Sequence, residues 1–184
     1  MPESSPTKTI LRQELLADRQ AIVPEVRRQS DRSIGERLIA WLDSHPVAVL
    51  GVYWPIRGEP DLRDAYGIIA ARGVQLALPV VVEKNTALRF LRWTPGDSMR
   101  KDSYGVAIPA CEIDMTPQTV LVPCIGFNHM RYRLGYGGGF YDRTLAGIPR
   151  PAAIGIAYAS ALATFSPDAH DIALDAVITE SATY

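Results

Sequence analysis

Uninterrupted apolar runs, each too short for a typical helix, recur along the chain. They are VAVLGVYW at 47–54, VQLALPVV at 74–81, TVLVPCIGF at 119–127, AAIGIAY at 152–158 and DAVIT at 175–179. A strand without polar alternation is buried on both faces, which is typical of a parallel sheet covered by helices. One further run, LRFLRW at 88–93, alternates apolar and basic residues and predicts a half-exposed strand.

Segments with helical spacing of apolar residues separate these strands. The first predicted helix starts near Lys8, with Thr7 as its cap, and runs to Pro24. The second runs from Pro24 to Leu42, and its inward residues are predicted to be Val26, Ile34, Leu38, Ile39 and Trp41. Two shorter helices are predicted over 60–73 and 140–146. Residues 94–115 read as loop-rich. The alternation predicts one α/β domain over residues 1–184: a mainly parallel sheet with helices on both faces in three layers, and residues 1–7 as a loose tail.

Charge and composition exclude several classes of protein. The formal net charge of the 184 residues is -1, which gives no general reason to expect a nucleic acid or an anionic membrane as partner. No apolar run approaches the roughly 20 residues of a membrane span, and the start of the chain lacks a secretory pattern. Two cysteines, Cys111 and Cys124, suit a reducing compartment. We expect a cytoplasmic monomer.

The segment RYRLGYGGGFYDR, 131–143, concentrates glycines at 135, 137, 138 and 139 between charged residues. It follows a predicted buried strand and precedes a predicted helix, where α/β sheets collect ligands at the carboxyl ends of their strands. Glycines there can adopt positive φ and leave backbone N–H groups open to a phosphate. Arg133 and Arg143 could balance phosphate charge, and Asp142 could hold magnesium.

Common nucleotide fingerprints do not fit this segment. A G-x-G-x-x-G match that starts at Gly135 would need a glycine at Phe140, and no Lys-Ser or Lys-Thr pair follows the glycines as in a P-loop. A flexible surface turn is the alternative interpretation of the glycine content. Four glycines together cost stability, however, which favours a ligand.

The stretch LVPCIGFNHMRYRLGYGGGFYDRTL, 121–145, strongly resembles the signature of the 5-formyltetrahydrofolate cyclo-ligase family. Weaker matches occur in the family's order: KTILR at 8–12, GVYWPIRGEPDL at 51–62 and HDIALDAVIT at 170–179. The resemblance implies a Rossmann-like cyclo-ligase fold, ATP and Mg²⁺ as cofactors, and the small-molecule substrate 5-formyltetrahydrofolate. The implied reaction yields 5,10-methenyltetrahydrofolate, ADP and phosphate through a phosphorylated formyl group.

Site residues are implied by the same resemblance. The implied ATP-binding residues are Lys8, Arg12, Arg133, Leu134, Gly135, Tyr136, Gly137, Gly138, Gly139, Phe140 and Tyr141. The implied substrate contacts are Trp54, Glu59, Tyr104 and residues 136–140. Arg133, Tyr141 and Asp142 are the implied catalytic residues, and Asp142 and Asp171 are the implied magnesium ligands. A carboxylate at Glu59 suits the adjacent N–H donors of a pterin ring.

Structural roles compete with several of these assignments. Lys8 and Arg12 also fit a solvated helix face, Asp142 a helix cap, Asp171 a turn, and Trp54 a core position.

Three positions depart from the family's pattern: Ile108 replaces a usual glutamate, Asn128 a usual aspartate and Arg131 a frequent glycine. They leave two other hypotheses open. One is a non-catalytic protein that binds folate or nucleotide, and the other is an ATP-dependent ligase for another small molecule.

Overall fold

The computed structural model describes residues 7–184 and leaves most of the predicted tail outside the described residues. The helices are α1 (Lys8–Ala21), α2 (Pro24–Ser44), α3 (Arg63–Ala71) and α4 (Phe140–Leu145), with a 3₁₀ turn at Ala159–Ala161. The strands are β1 (Val49–Gly51), β2 (Gln75–Val80), β3 (Arg89–Trp93), β4 (Met99–Lys101), β5 (Ala107–Pro109), β6 (Asp114–Met115), β7 (Thr119–Pro123), β8 (Gly126–Phe127), β9 (Arg133–Leu134), β10 (Ala152–Ile156) and β11 (Ala176–Ile178). Each helix within residues 7–184 is too short or too polar to span a lipid bilayer.

A mixed sheet forms the centre of the molecule, with strand order β11-β10-β7-β1-β2-β3-β6. The five strands from β11 to β2 are mutually parallel, whereas β3 and β6 run antiparallel at one edge. The predicted mainly parallel α/β fold is therefore confirmed. Because one sheet joins strands from Val49 to Ile178, we propose that residues 7–184 form one domain.

Both faces of this sheet are covered. Leu121 of β7 points to the face covered by α2 and α3, where Ile34, Leu38 and Ile69 are buried. Val120 and Val122 of the same strand point to the opposite face, which α4 and the C-terminal segment cover. Alternate side chains of one strand thus enter two apolar clusters, which explains why the strand shows no polar alternation.

The predicted strand 119–127 is split into β7 and β8. After Pro123 the chain leaves the sheet, and β8 pairs with β9 as an antiparallel hairpin. Helix α1 packs on this hairpin through Leu11 and Leu15. A Cβ at Gly126 would lie 2.6 Å from the Leu15 side chain, so glycine permits the close approach. The hairpin directs the chain that follows β9 toward the carboxyl edge of the parallel strands.

Two local predictions are wrong, and a third is incomplete. The segment 94–115 is loop-rich as predicted, but it also contains the short β4–β5 hairpin and the edge strand β6. Val26, predicted to face inward, is 54% exposed, because it lies about 80° around the helix from Ile34. Thr7 occupies the position before α1 but its side chain forms no capping hydrogen bond.

Candidate active site

A cavity of about 750 Å³ opens at the carboxyl ends of β2, β1 and β7. Pro79, Trp54 and Pro123 mark where the chain leaves these strands. All the site residues that the family resemblance implies line this cavity: Lys8, Arg12, Trp54, Glu59, Tyr104, Arg133, Leu134, Gly135, Tyr136, Gly137, Gly138, Gly139, Phe140, Tyr141, Asp142 and Asp171. The individual roles of these residues stay predictions.

Residues 135–139, here called the glycine segment, join β9 to α4 along one wall of the cavity. Gly137 and Gly139 have φ values of 90° and 65°, which side-chain-bearing residues rarely adopt. Gly135 and Gly138 lie outside that region, so positive φ applies to two of the four glycines. A Cβ at Gly138 would lie 2.7 Å from the Phe140 ring, whereas a Cβ at Gly135 would meet open space.

A substitution at Gly135 therefore tests ligand access without introducing backbone strain. Gly135→Val is expected to weaken ATP binding by about tenfold or more, because the added side chain projects into the space where phosphate would lie. The melting temperature is expected to stay nearly constant, since neither φ nor a neighbour opposes the change. Fluorescent-nucleotide titration and thermal unfolding measure the two effects.

Gly67→Ala in α3 is the matched control, because its Cβ also meets no neighbour. We expect unchanged nucleotide affinity and a gain of about 0.5–1 kcal/mol in stability. Full nucleotide affinity in Gly135→Val would show that this glycine is not a ligand surface.

Helix α1 contributes two cations to the cavity from one face. The Lys8 ammonium donates to Asp171 at 2.8 Å and lies 2.7 Å from the Asp168 carboxylate. Arg12 Nε donates to the Gly135 carbonyl at 2.8 Å. Burial lowers the pKa of Lys8, but the hydrogen bonds to Asp168 and Asp171 outweigh it and raise the pKa overall. These contacts favour a site role over an ordinary solvated face.

Two carboxylates, Asp142 and Asp171, also line the cavity. Asp142 pairs with the buried Arg133 guanidinium at 2.8 Å and accepts the Ile172 N–H at 3.2 Å. Burial opposes ionisation of Asp171, but hydrogen bonds from Lys8 and from the backbone N–H of Asp168 prevail and lower its pKa. Each carboxylate thus lies beside a cation within one cavity, Asp142 beside Arg133 and Asp171 beside Lys8.

Arg143 does not join this cluster. Its guanidinium donates to the Gly138 carbonyl at 2.8 Å and to the Asn85 side chain at 3.2 Å, and it does not line the cavity. The prediction that Arg143 balances phosphate charge is not supported by this placement; it braces the outside of the glycine segment instead.

Glu59 is a buried carboxylate, 4% exposed, in the part of the cavity that holds the predicted substrate contacts, here called the substrate end. Its Oε1 accepts the Tyr136 hydroxyl at 3.0 Å, and its Oε2 accepts the Ile56 N–H at 3.0 Å. Burial raises the pKa of Glu59 to about 7, although those hydrogen bonds and nearby arginines act in the opposite direction. Glu59 therefore changes its protonation state near neutral pH, and in its ionised form it can accept further hydrogen bonds.

Aromatic side chains complete the substrate end. Trp54 lies three residues after the end of β1. Its ring is nearly perpendicular to that of Trp93, and the Arg63 guanidinium lies 5.0 Å from its ring centre. It is half-buried rather than a core tryptophan, and it lines the cavity. Tyr104 is 53% exposed at the rim. Both rings can stack on a flat heterocycle.

Sequence reasoning missed Arg19, Arg57 and Asp168. Arg19 lies seven residues after Arg12, so the spacing itself places it on the same face of α1. Arg57 lies within the quoted match at 51–62, and Asp168 lies three residues before Asp171. No motif assigned these three, because their contacts depend on how α1 and the cavity loops meet.

The three departures from the family's pattern have structural explanations outside the cavity lining. Ile108 is 1% exposed and packs with Val80 and Leu91. Asn128 accepts two backbone N–H groups and donates to the Phe165 carbonyl at 3.0 Å. Arg131 has a φ of 62°, where the family often has glycine, and donates to the Leu174 carbonyl.

The fold and this cavity define a class of protein. The glycine segment, together with Arg133 and Lys8, has the chemistry to bind a phosphate. The buried Glu59 carboxylate and the aromatic rings have the chemistry to bind a polar heterocycle. Both lie at the carboxyl edge of parallel strands, where α/β enzymes bind ligands. The molecule is therefore built as an α/β enzyme whose cavity can accept small polar ligands.

Comparison with known proteins identifies the family. The model of the 5-formyltetrahydrofolate cyclo-ligase family matches residues 4–180. A 5-formyltetrahydrofolate cyclo-ligase of Mycoplasma pneumoniae is 29% identical over 176 residues, covering 94% of this chain and 98% of the relative. One of Escherichia coli K12 is 26% identical over 172 residues, covering 89% and 94%.

Solved structures agree with the sequence comparison. A 5,10-methenyltetrahydrofolate synthetase from Mycoplasma pneumoniae superposes with a TM-score of 0.80 at 26% identity, covering 95% of this chain and 99% of that one. The synthetase of Aquifex aeolicus gives 0.82 at 26% identity, covering 96% and 91%. The chain belongs to the 5-formyltetrahydrofolate cyclo-ligase family, a family of ATP-dependent ligases in one-carbon metabolism.

Proposed function

We propose that the protein converts 5-formyltetrahydrofolate into 5,10-methenyltetrahydrofolate with ATP, releasing ADP and phosphate. One observation carries the proposal: the glycine segment and Glu59 share a cavity and are joined directly by the hydrogen bond from Tyr136 to Glu59. A phosphate on the glycine segment would therefore lie beside a ring held by Glu59. Transfer between the two ligands needs this proximity more than it needs a protein nucleophile.

The proposed reaction has two steps. The formyl oxygen attacks the γ-phosphorus, an O–P bond forms, and the bond to the β-phosphate oxygen breaks to release ADP. N10 of the folate then attacks the formyl carbon, the C–O bond breaks, phosphate leaves with the former formyl oxygen, and the N10 proton is lost. Arg133 and Lys8 would balance phosphate charge, while Glu59 and Trp54 orient the pterin.

Two carboxylates in the cavity fit a magnesium ion. Asp142 accepts the backbone N–H of Ile172, the residue that follows Asp171, and both aspartates line the cavity. Within residues 7–184 no group of three or more His, Cys, Asp or Glu could form an all-protein metal cage. Magnesium usually takes only one or two carboxylates and completes its shell with phosphate oxygens and water. When bound, it would neutralise charge on the transferred phosphate.

Methenyl formation tests the proposal directly. Purified protein with 5-formyltetrahydrofolate, ATP and magnesium is expected to develop the ultraviolet absorbance of the methenyl product, and omission of ATP or magnesium is expected to abolish it. Folded protein that binds folate without turning over ATP would instead be a binding module. ATP turnover that ignores the folate but responds to another small molecule would indicate a different substrate.

The departures from the family's pattern do not favour those alternatives. Ile108, Asn128 and Arg131 lie outside the cavity lining and serve packing and backbone contacts. We further propose that the protein acts as a monomer in a reducing cytoplasm, in which Cys111 and Cys124 remain thiols.

A further inference from the structure

Arg19 is a buried cation whose charge no carboxylate contacts among residues 7–184. Its side chain belongs to α1, it is 5% exposed, and its Nε has no hydrogen-bond partner within those residues. One Nη donates to the Tyr136 hydroxyl at 2.7 Å, and the other lies 3.4 Å from the Cys124 carbonyl. Buried arginines are usually paired, so this arrangement calls for a role beyond packing.

Proton direction links Arg19 to the substrate end of the cavity. A guanidinium has only donors, so the Tyr136 oxygen must accept from Arg19. The single Tyr136 proton is then directed to Glu59 Oε1, 3.0 Å away. With the Ile56 N–H on Oε2, each Glu59 oxygen receives one fixed donor, and the remaining lone pairs stay available to a ligand.

We propose that Arg19 is a positioning residue: acting through the Tyr136 hydroxyl, it holds Glu59 as an oriented acceptor for the pterin ring. This inference rests on the proposed function, in which Glu59 binds the pterin. Arg19 does not line the cavity, so it acts on the substrate only through Tyr136 and Glu59.

The groups around Glu59 determine how strongly Arg19 influences the ionisation of this carboxylate. Arg57, two residues away, lies with its guanidinium 5.3 Å from the centre of the Tyr136 ring, and it is the second cation that favours ionised Glu59. Burial raises the pKa of the other titratable groups that face Glu59, which keeps them neutral near pH 7: Tyr53, Tyr66, Cys124, Tyr136 and Tyr141. Arg27 of α2 lies against the neighbouring Gly58, where an added Cβ would be 2.8 Å from its guanidinium. Removal of Arg19 therefore takes away the cation that most favours ionised Glu59 and leaves Arg57 and Arg27 nearby.

Arg19→Met is expected to move the titration midpoint of Glu59 upward by about one pH unit. Carboxyl ¹³C NMR of the ligand-free protein measures this midpoint, with Glu59→Gln to assign the signal. At pH 7 the KM for the folate is expected to rise about fivefold, because the ionised fraction of Glu59 falls from about one half to about one tenth. The KM for ATP is expected to change much less, and the pH profile of kcat/KM for the folate is expected to move to higher pH.

Three further variants separate positioning from structural support. Arg19→Lys retains a buried donor and is expected to restore most of the midpoint. Tyr136→Phe is expected to raise the midpoint as well, and the double variant with Arg19→Met is expected to show less than the sum of the two single shifts, since the hydroxyl carries part of the effect of Arg19 on Glu59. Arg32→Met removes an exposed arginine from α2 and is expected to leave the midpoint unchanged.

The outcomes distinguish the inference from the function on which it rests. A folded Arg19→Met protein with the wild-type Glu59 midpoint overturns the inference, whatever its activity. If Arg19→Met does not fold, a wild-type midpoint in Tyr136→Phe overturns it equally. Wild-type protein that forms no methenyl product overturns the proposed function, while the Glu59 midpoint still reports on the link between Arg19 and this carboxylate.

Discussion

Asp142→Asn is expected to reduce the turnover of methenyl formation by about three orders of magnitude while the protein remains folded. The change replaces an anionic oxygen donor by a neutral amide in the proposed magnesium site, and such ions supply several kcal/mol of transition-state stabilisation. It also frees the Arg133 guanidinium from its 2.8 Å ion pair, so that this cation no longer has a fixed position beside the phosphate. Steady-state kinetics over a magnesium titration measures the loss.

Stability is expected to fall far less in this variant. Asparagine keeps an acceptor for the Ile172 N–H, but the Arg133 side chain, 7% exposed, loses its counter-charge. We expect a loss of about 1–3 kcal/mol in the free energy of unfolding, because Asp142 itself is 23% exposed and water can partly replace it. Urea denaturation measures this term.

Asp175→Asn provides a closely matched control for Asp142→Asn. Asp175 also pairs with an arginine, Arg150, and also accepts a backbone N–H, that of Ala153, but it does not line the cavity. We expect a modest stability loss with unchanged turnover. If Asp142→Asn lowered turnover no more than Asp175→Asn does, Asp142 would be a structural tie rather than part of the reaction site.

The sequence predicted those parts of the fold that carry their own signal. Strands such as β2 and β10, buried on both faces, have no polar alternation, so their period and length identify them. The edge strand β6 has no such signal, because its two residues become a strand only by pairing with Phe90 and Leu91 of β3. The ion pair between Arg89 and Asp114 at this edge likewise joins residues distant in sequence. Tertiary pairing, rather than local propensity, determines these elements.

Prediction of the site followed the same division. The glycine segment and Glu59 lie within sequence motifs, and both reach the cavity as expected. The role of Arg19 could not be predicted from the sequence, because its partner Tyr136 is 117 residues away and the two meet only where α1 packs on the β8–β9 hairpin. For Arg143 the opposite happened. Its neighbours in the sequence suggested a phosphate contact, but the turn of α4 directs its side chain to Asn85 and the Gly138 carbonyl.

Glu59→Gln is expected to stabilise the ligand-free protein at pH 8 and to abolish tight folate binding. Burial raises the pKa of Glu59 from 4.5 to about 7, so the folded state holds the proton more tightly than the unfolded chain does. Stability is therefore expected to fall as pH rises from about 4.5 to about 7, by about 3 kcal/mol in total. Glutamine carries no charge, so it avoids this loss. Urea denaturation at pH 5 and pH 8 measures it.

The pH dependence of the unfolding free energy separates the effect of the Glu59 charge from the effect of its hydrogen bonds. Glutamine presents an NH₂ group to one of the two donors around Glu59, Tyr136 or the Ile56 N–H, and this cost is the same at both pH values. The difference in unfolding free energy between Glu59→Gln and wild type is therefore expected to grow by about 2–3 kcal/mol from pH 5 to pH 8. Glu36→Gln, exposed on α2, is expected to show a flat difference. If this difference did not change with pH for Glu59→Gln, burial would not disfavour the charge of Glu59. The carboxylate would then serve folding, and it would not be a ligand-binding group that lowers the stability of the protein.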